Sequence, residues 1–178
     1  MDLKAETRYV ASIMEAPELQ VMTANKSHLK ALTELVCAIE AEDHPGDATA
    51  ALTASEGVRQ SLSRFDALNS DCVWCLIAFS GDRPVGLAIL TRTPKLDARI
   101  GFLYLDEIHV MRQYRRQGIG KALLSGCRDV AQEAGLAGIR LLARIDNEPA
   151  RRLYESAGFR GNETMLYQFQ FDPPDPQP

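Results

Sequence analysis

Apolar residues recur at helical spacing in four stretches of the chain. The first stretch predicts an amphipathic helix from apolar residues three or four positions apart, at Leu29, Leu32, Leu35, Val36 and Ile39. Ser27 can cap the start of this helix, and Pro45 and Gly46 stop it. Similar patterns predict further helices at about 54–67, 118–134 and 147–158.

The other apolar runs are contiguous or alternating, which is typical of strands. They begin near residue 19 and continue at 72–80, 84–93, 99–111, 139–145 and 163–171. The order of elements is therefore β-α-α-β-β-β-α-β-α-β. This order predicts an α/β fold with a mixed, mostly antiparallel central sheet and flanking helices, because an antiparallel meander feeds a β-α-β crossover.

The chain of 178 residues is long enough to bury one substantial core. We expect a single domain over residues 18–171, an N-terminal arm at 1–17 and a flexible C-terminal tail at 172–178. The hydrophobic fraction of 46% is that of a soluble globular protein, and the net charge of -4 argues against a nucleic-acid partner. The same negative charge suits a cationic substrate.

Neither a membrane segment nor a signal peptide is expected, since no run approaches about 18 apolar residues and charges interrupt the N-terminus. We therefore expect a cytoplasmic protein without a membrane partner, whose four cysteines stay as thiols. The CVWC sequence lacks a second cysteine pair and lies in a predicted strand, where Cys72 and Cys75 would face opposite sides. No metal site is predicted.

The sequence RRQGIGK joins a predicted strand to the start of a helix. The first amides of a helix have no partner within it and can bind an anion, and Gly118 and Gly120 would let a phosphate approach the backbone. The spacing matches neither a P-loop nor a dinucleotide-binding fingerprint. A glycine-rich helix start with solvated arginines is the alternative that composition alone leaves open.

Three sequences in order resemble the GNAT superfamily of N-acetyltransferases. RRQGIG has the R-x-x-G-x-G form of that family's acetyl-CoA-binding signature, LDEIHVMRQYR is similar to the strand before it, and NEPARRLYESAGF resembles the second signature. The resemblance covers residues from about 19 to 170. It implies splayed central strands and acetyl-CoA as the cofactor.

The resemblance also implies which residues bind coenzyme A. The pyrophosphate would rest on the glycine loop, formed by Arg115, Arg116, Gln117, Gly118, Ile119, Gly120 and Lys121. The pantetheine arm would pair like an added strand with Ile108, His109 and Val110, and the Val110 amide would polarise the acetyl carbonyl. Further contacts would come from Asn147, Glu148, Pro149 and Ala150.

Three residues are candidates for catalysis. Tyr154 matches the family's general acid, which protonates the departing sulfur; a tyrosine packed beside Leu153 and Phe159 is the alternative. Asp106 and Glu107 are candidate bases for the amine, and only one of them would face the acetyl group from a regular strand. YLDEIHVM resembles the polyamine acetyltransferase branch with its two acids in reversed order, so either acid remains a candidate. Two solvated strand acids are the alternative.

The acidic sequence after the first helix predicts a pocket for a cationic amine, with Glu42, Asp43 and His44 as candidate ligands. A solvated helix end is the alternative. A small polyamine-like or amino-acid-like amine is the expected acceptor, ahead of a protein N-terminus, a lysine or an aminoglycoside. The competing functions are a non-catalytic acyl-CoA sensor and a general anion-binding module. A homodimer is expected only by analogy with the family.

Overall fold

A computed structural model of the chain describes residues 17–95 and 100–171. The expected tail and nearly all of the expected N-terminal arm lie outside the described residues. The chain divides into two compact units, one ending at Leu142 and the other beginning at Ala143. The expectation of a single domain over 18–171 stays a prediction.

The first unit contains five strands and three α-helices among its described residues. In chain order they are β1 (Leu19–Thr23), α1 (Leu29–Asp43), α2 (Ala50–Phe65), β2 (Val73–Ser80), β3 (Arg83–Arg92), β4 (Leu103–Val110), α3 (Ile119–Glu133) and β5 (Ile139–Leu141). Short 3₁₀ turns occupy Lys26–His28, Ala67–Asn69 and Arg112–Tyr114. Within the described ranges, no helix has both the length and the apolar character needed to cross a bilayer.

The cap before α1 differs from the prediction. Asn25, and not Ser27, supplies the capping side chain, since its Oδ1 accepts from the Ser27 amide at 2.9 Å. This bond caps the 3₁₀ turn that precedes α1, while α1 itself begins without a side-chain cap. Asn and Ser are similarly good caps, so composition could not decide between them.

The five strands form one sheet in the order β1-β2-β3-β4-β5. The first four strands are antiparallel to their neighbours, and β5 runs parallel to β4. Helix α1 packs on one face through a core of Leu32, Leu35, Ile39, Cys75, Ile77 and Leu87. Helix α3 covers the other face, where Gly126 lies close to Leu76 and Val21. The predicted mixed, mostly antiparallel sheet with flanking helices is confirmed.

A β-bulge interrupts β4 at the two acids. Leu105 lies opposite Leu90, but Glu107 lies opposite the adjacent Ile89, so Asp106 is an extra residue without a counterpart on β3. Cross-strand partners share a face of the sheet. The bulge therefore turns Glu107 to the face that carries α1 and α2, whereas regular alternation would have kept it on the face of Leu105. Asp106 and Glu107 therefore do not alternate as in a regular strand, and the expectation that only one of them faces the acetyl group stays a prediction.

The sheet opens beyond Leu105. Strand β5 pairs with β4 only from Leu103 to Leu105, and it ends at Leu141. The predicted strand at 139–145 is thus shorter than expected. Among the described residues of the first unit, no strand pairs with the β5 side of β4 from Asp106 to Val110.

The second unit contains one helix among its described residues, α4 (Glu148–Ser156). Asn147 caps it, and Pro149 lies in its first turn, where a missing amide is tolerated. The strand predicted at 163–171 is not formed: this segment is irregular and exposes Tyr167, Phe169 and Phe171. Alternating apolar residues suffice to predict a strand, but pairing also needs a neighbouring backbone, and the described sheet ends at β5.

The close approach of β3 to β4 at Gly86 leads to a prediction about the free energy of unfolding. A Cβ added at Gly86 would lie 2.8 Å from the His109 carbonyl oxygen, whereas one at Gly57 in α2 would meet nothing within 4 Å. We expect Gly86→Ala to lower the free energy of unfolding by about 1–3 kcal/mol. Gly57→Ala should raise it by about 0.5–1 kcal/mol, because alanine favours a helix. Urea denaturation checks both, and equal midpoints for the two variants would contradict the close approach.

Candidate active site

The start of α3 has the form of an anion site. Gly118 precedes the helix with φ of 83°, a left-handed conformation that favours glycine, and no side chain caps the first turn. A Cβ at Gly118 would meet nothing within 4 Å, so the backbone there faces open space. Arg116 also has a positive φ of 64°. These features fit a phosphate resting on the first helical amides.

The side chains of the loop divide into exposed charges and structural contacts. Arg116 and Lys121 are exposed at the loop. The Arg115 Nε donates to the Val110 carbonyl at 2.8 Å, and the Gln117 side chain donates to the Gln113 carbonyl. Arg115 therefore joins the loop to the end of β4. Its predicted contact with the pyrophosphate stays a prediction.

The open side of β4 presents backbone groups next to this loop. The Met111 amide donates to the Val85 carbonyl at 2.9 Å, and Val110 lies opposite Gly86. In an antiparallel pair this places the Val110 amide and carbonyl on the side away from β3. That side lacks a strand partner in the described part of the first unit, so it can accept an added strand such as a pantetheine arm.

Glu107 lies in a cavity of about 580 Å³ formed by α1, α2 and the sheet. The Glu107 side chain is exposed to solvent on one side, yet partial desolvation by the cavity wall raises its pKa, and the carboxylates of Asp106, Glu40 and Asp43 raise it further because they disfavour a second negative charge nearby. Asp106 does not line this cavity. A raised pKa brings a carboxylate closer to the operating pH, where it is a better proton acceptor.

His109 shares the face of Glu107, two residues further along β4. Its side chain is 14% exposed, and its buried Nε2 makes no hydrogen bond; the Glu42 Oε2 lies 3.9 Å away, too far for one. Burial lowers the pKa of His109, and Arg115 acts in the same direction, while Asp43 and Glu42 oppose them. The net lowering favours the neutral imidazole. The ring lies near Glu42 at the end of α1.

The predicted acidic ligands have distinct surroundings. Both carboxylate oxygens of Glu42 accept from the Arg112 amide, at 2.9 and 3.2 Å, so Glu42 fixes the turn after β4 to the end of α1. His44 lines the cavity and its Nδ1 lies 3.0 Å from Glu40. Asp43 is exposed. The roles of Glu42, Asp43 and His44 in binding substrate stay predictions.

Two further acids of the predicted acidic sequence lie at the cavity, although they were not among its candidate ligands. Glu40 and Asp47 line the same cavity as Glu107. Glu40 lies four residues after Val36, which places an acid on the apolar stripe of α1, and this position was a readable signal. Asp47 accepts from the amide and hydroxyl of Thr49, which lowers its pKa and keeps it ionised.

The predicted residues of α4 belong to the second unit. The Asn147 Oδ1 accepts from the Ala150 amide at 3.2 Å, and Glu148 pairs with Arg152 at 2.9 Å. Tyr154 is partly buried and packs edge-on against Phe159, with ring centroids 6.0 Å apart. This contact is the packing considered for Tyr154 as the alternative to an acid role. The catalytic and cofactor roles of α4 stay predictions.

Comparison with known proteins identifies the family. The sequence profile of the acetyltransferase (GNAT) family matches residues 34–159. The chain therefore belongs to this family, whose members are acetyl-CoA-dependent N-acetyltransferases. The family membership expected from the glycine loop is confirmed, and the polyamine branch is not specifically supported.

Individual relatives differ in their acceptors. The chain is 25% identical over 113 residues to GCN5-related N-acetyltransferase 7 of Arabidopsis thaliana chloroplasts, covering 64% of this chain and 38% of that protein. It is 41% identical over 83 residues to the ribosomal protein bS18-alanine N-acetyltransferase of Escherichia coli, covering 43% and 55%. An aminoglycoside N-acetyltransferase structure with bound CoA shares the fold, with a TM-score of 0.67, 16% identity and coverage of 89% and 98%. The chain thus spans about a third to a half of the two curated relatives.

The raised pKa of Glu107 predicts a pH-dependent change in stability. The folded protein holds the Glu107 proton more tightly than the unfolded chain, so ionisation destabilises the fold as pH rises through the raised pKa. Glu107→Gln removes this penalty. The variant should unfold at a higher urea concentration than the wild type at pH 7.5, and the difference should vanish near pH 4.

The matched control is Glu34→Gln on the exposed surface of α1. It removes one charge without touching the cavity and should show no gain at pH 7.5. A Glu107→Gln variant that is less stable than the wild type at neutral pH would contradict the unfavourable burial of this carboxylate.

Proposed function

We propose that the protein transfers the acetyl group of acetyl-CoA to a primary amine of a small molecule, by direct attack and without an acetylated enzyme. The observation that carries this proposal is the position of Glu107 in the cavity wall, one residue before the strand segment whose open side offers the Ile108 and Val110 amides. A proton acceptor for the amine and a backbone site for the thioester thus lie on one strand.

Acetyl-CoA supplies an activated acetyl thioester. Glu107 takes one proton from the ammonium group of the acceptor, which frees the nitrogen lone pair for attack on the acetyl carbon. The Val110 amide donates to the acetyl oxygen as negative charge develops there. The carbon–sulfur bond breaks as the carbon–nitrogen bond forms, and the Tyr154 hydroxyl protonates the sulfur. The amide nitrogen loses its remaining extra proton to water, Glu107 releases its proton to solvent, and Tyr154 is reprotonated from solvent.

Glu107 is favoured over Asp106 as the base. The bulge turns Glu107 into the cavity, and burial together with neighbouring acids raises its pKa. Both side chains are exposed, but Asp106 is the extra residue of the bulge and does not line the cavity. The reversed order of the two acids relative to the polyamine branch therefore matters less than the register of the strand.

The acceptor could instead be a protein amine or an aminoglycoside, and the protein could instead be an acyl-CoA sensor. Relatives named as bS18-alanine, N-alpha and aminoglycoside acetyltransferases show that the family accepts both proteins and small molecules. A small acceptor is favoured here because Glu107 lines a cavity of about 580 Å³. An acyl-CoA sensor needs the glycine loop but no carboxylate in a substrate-sized cavity, which favours an enzyme. Homodimer formation and a cytoplasmic location stay predictions.

The proposal predicts that Glu107→Gln loses activity. In an assay of CoA release with an amine panel, we expect kcat to fall by about 10²–10⁴-fold, the range for loss of a general base. The acid limb of the pH–rate profile should disappear with it. Asp106→Asn is the matched control and should lose much less. A larger loss in Asp106→Asn would assign the base to Asp106, and tight acetyl-CoA binding without CoA release from any amine would support the sensor.

Tyr154 gives a second catalytic prediction. Tyr154→Phe keeps the ring that packs on Phe159 and removes only the hydroxyl. We expect turnover to fall at least about tenfold with little change in the Kd for acetyl-CoA, because the hydroxyl acts on the departing sulfur. Titration calorimetry separates the two effects. Unchanged turnover with a verified substrate would remove Tyr154 from the mechanism.

A further inference from the structure

The cavity that contains Glu107 has a charged end and an apolar end. Its charged end is formed where α1 ends and α2 begins, by Glu40, His44 and Asp47. Glu107 on β4 faces the same end of α1. The remaining lining is mostly apolar. It includes Leu32, Val36, Val58, Leu68 and Val73.

The two ends are separated along the helices. Residues 32 and 40 of α1 are eight positions apart, which corresponds to about 12 Å along a helix axis. On α2, Ala50 lies beside the charged end, and Ser61 lies about 16 Å further along the helix axis. Ser61 lines the apolar end from an exposed position. The cavity is therefore elongated, with its carboxylates grouped at one end.

We propose that the acceptor is a primary amine with one cationic end and an apolar aliphatic or aromatic body. This inference rests on the proposed function, because it places the ammonium group at Glu107. The apolar body lies between α1, α2 and the sheet, against side chains such as Val36, Val58 and Leu68. Removal of the body from water supplies affinity, and the acids orient the reactive nitrogen.

A linear diamine or polyamine is a poor fit to this arrangement. Its second ammonium group would lie among Leu32, Leu68 and Val73, where the lining offers no carboxylate. Burial of a charge without a partner is costly. The polyamine-like acceptors that the sequence favoured are therefore disfavoured within this site.

An extended peptide N-terminus fits less well for a related reason. Its backbone amides and carbonyls would need hydrogen-bond partners in the cavity, and the apolar end offers few polar side chains beyond Ser61. The small amphiphilic amine satisfies both ends of the cavity.

The test compares a homologous series of amines in the CoA-release assay. For n-propylamine through n-hexylamine, kcat/KM should rise about fourfold with each methylene. Hexylamine should exceed 1,6-diaminohexane by at least about tenfold, since the two differ only in the second ammonium group. An alanine-initiated hexapeptide should also rank below hexylamine. A flat series, or a diamine or peptide ranked above hexylamine, overturns the inference and leaves the proposed acetyl transfer standing.

Ser61→Asp supplies an independent test. A carboxylate at the apolar end should partner a second ammonium group that is long enough to reach it, so the preference for decylamine over 1,10-diaminodecane should fall at least about tenfold. Ser61→Asn is the matched control without charge and should keep the wild-type preference. An unchanged preference in a folded Ser61→Asp variant contradicts the position assigned to the amine's far end.

Thermal denaturation separates this inference from the proposed function. Hexylamine should raise the Tm of the wild-type protein loaded with CoA, which carries no acetyl group to transfer, more than 1,6-diaminohexane does, because a ligand of the folded state stabilises it. If no amine releases CoA but this ranking of Tm shifts holds, acetyl transfer fails as the proposed function and the binding preference stands. An equal or reversed ranking overturns the binding preference whatever the turnover.

Discussion

The bulge at Asp106 is the constraint on which the candidate site depends. One extra residue in β4 changes which side chains point to each face of the sheet, while the strand stays paired with β3. Before the bulge, Leu103 and Leu105 are buried; after it, Ile108 and Val110 share the face of Leu105. Glu107 and His109 consequently face α1. A regular strand with the same sequence would place two polar side chains in the face covered by α3.

The same strand is fixed at its end by contacts from two other elements. Glu42 at the end of α1 accepts from the Arg112 amide, and Arg115 donates to the Val110 carbonyl. Since these bonds hold both the strand end and the following turn, the position of the Val110 amide depends on α1 and on the glycine loop. The wall of the cavity and the open side of β4 are thereby coupled through short, local contacts.

The sequence was sufficient for most of the fold because periodicity and the glycine loop are local signals. It predicted α3 to within a residue at each end and placed Gly118 at its start. The bulge was also visible in principle: apolar residues occupy 103 and 105 but then 108 and 110, a spacing that requires one extra residue. The prediction of a strand at 163–171 was wrong because strand pairing depends on a partner backbone, which local periodicity does not reveal. The apolar lining of the cavity needed the packing of α1 against α2, which no local pattern specifies.

Cys75 supports direct transfer over a route through an acetylated enzyme. Its thiol lines the same cavity as Glu107, and the two are aligned across the sheet through Ile89. Burial, with a further contribution from the charge of Glu107, raises the pKa of Cys75 to about 12. At neutral pH only about one such thiol in 10⁵ is ionised, and the thiolate is the nucleophile. Burial, aided by the charge of Glu107, thus keeps the Cys75 thiol from competing as a nucleophile in the proposed transfer.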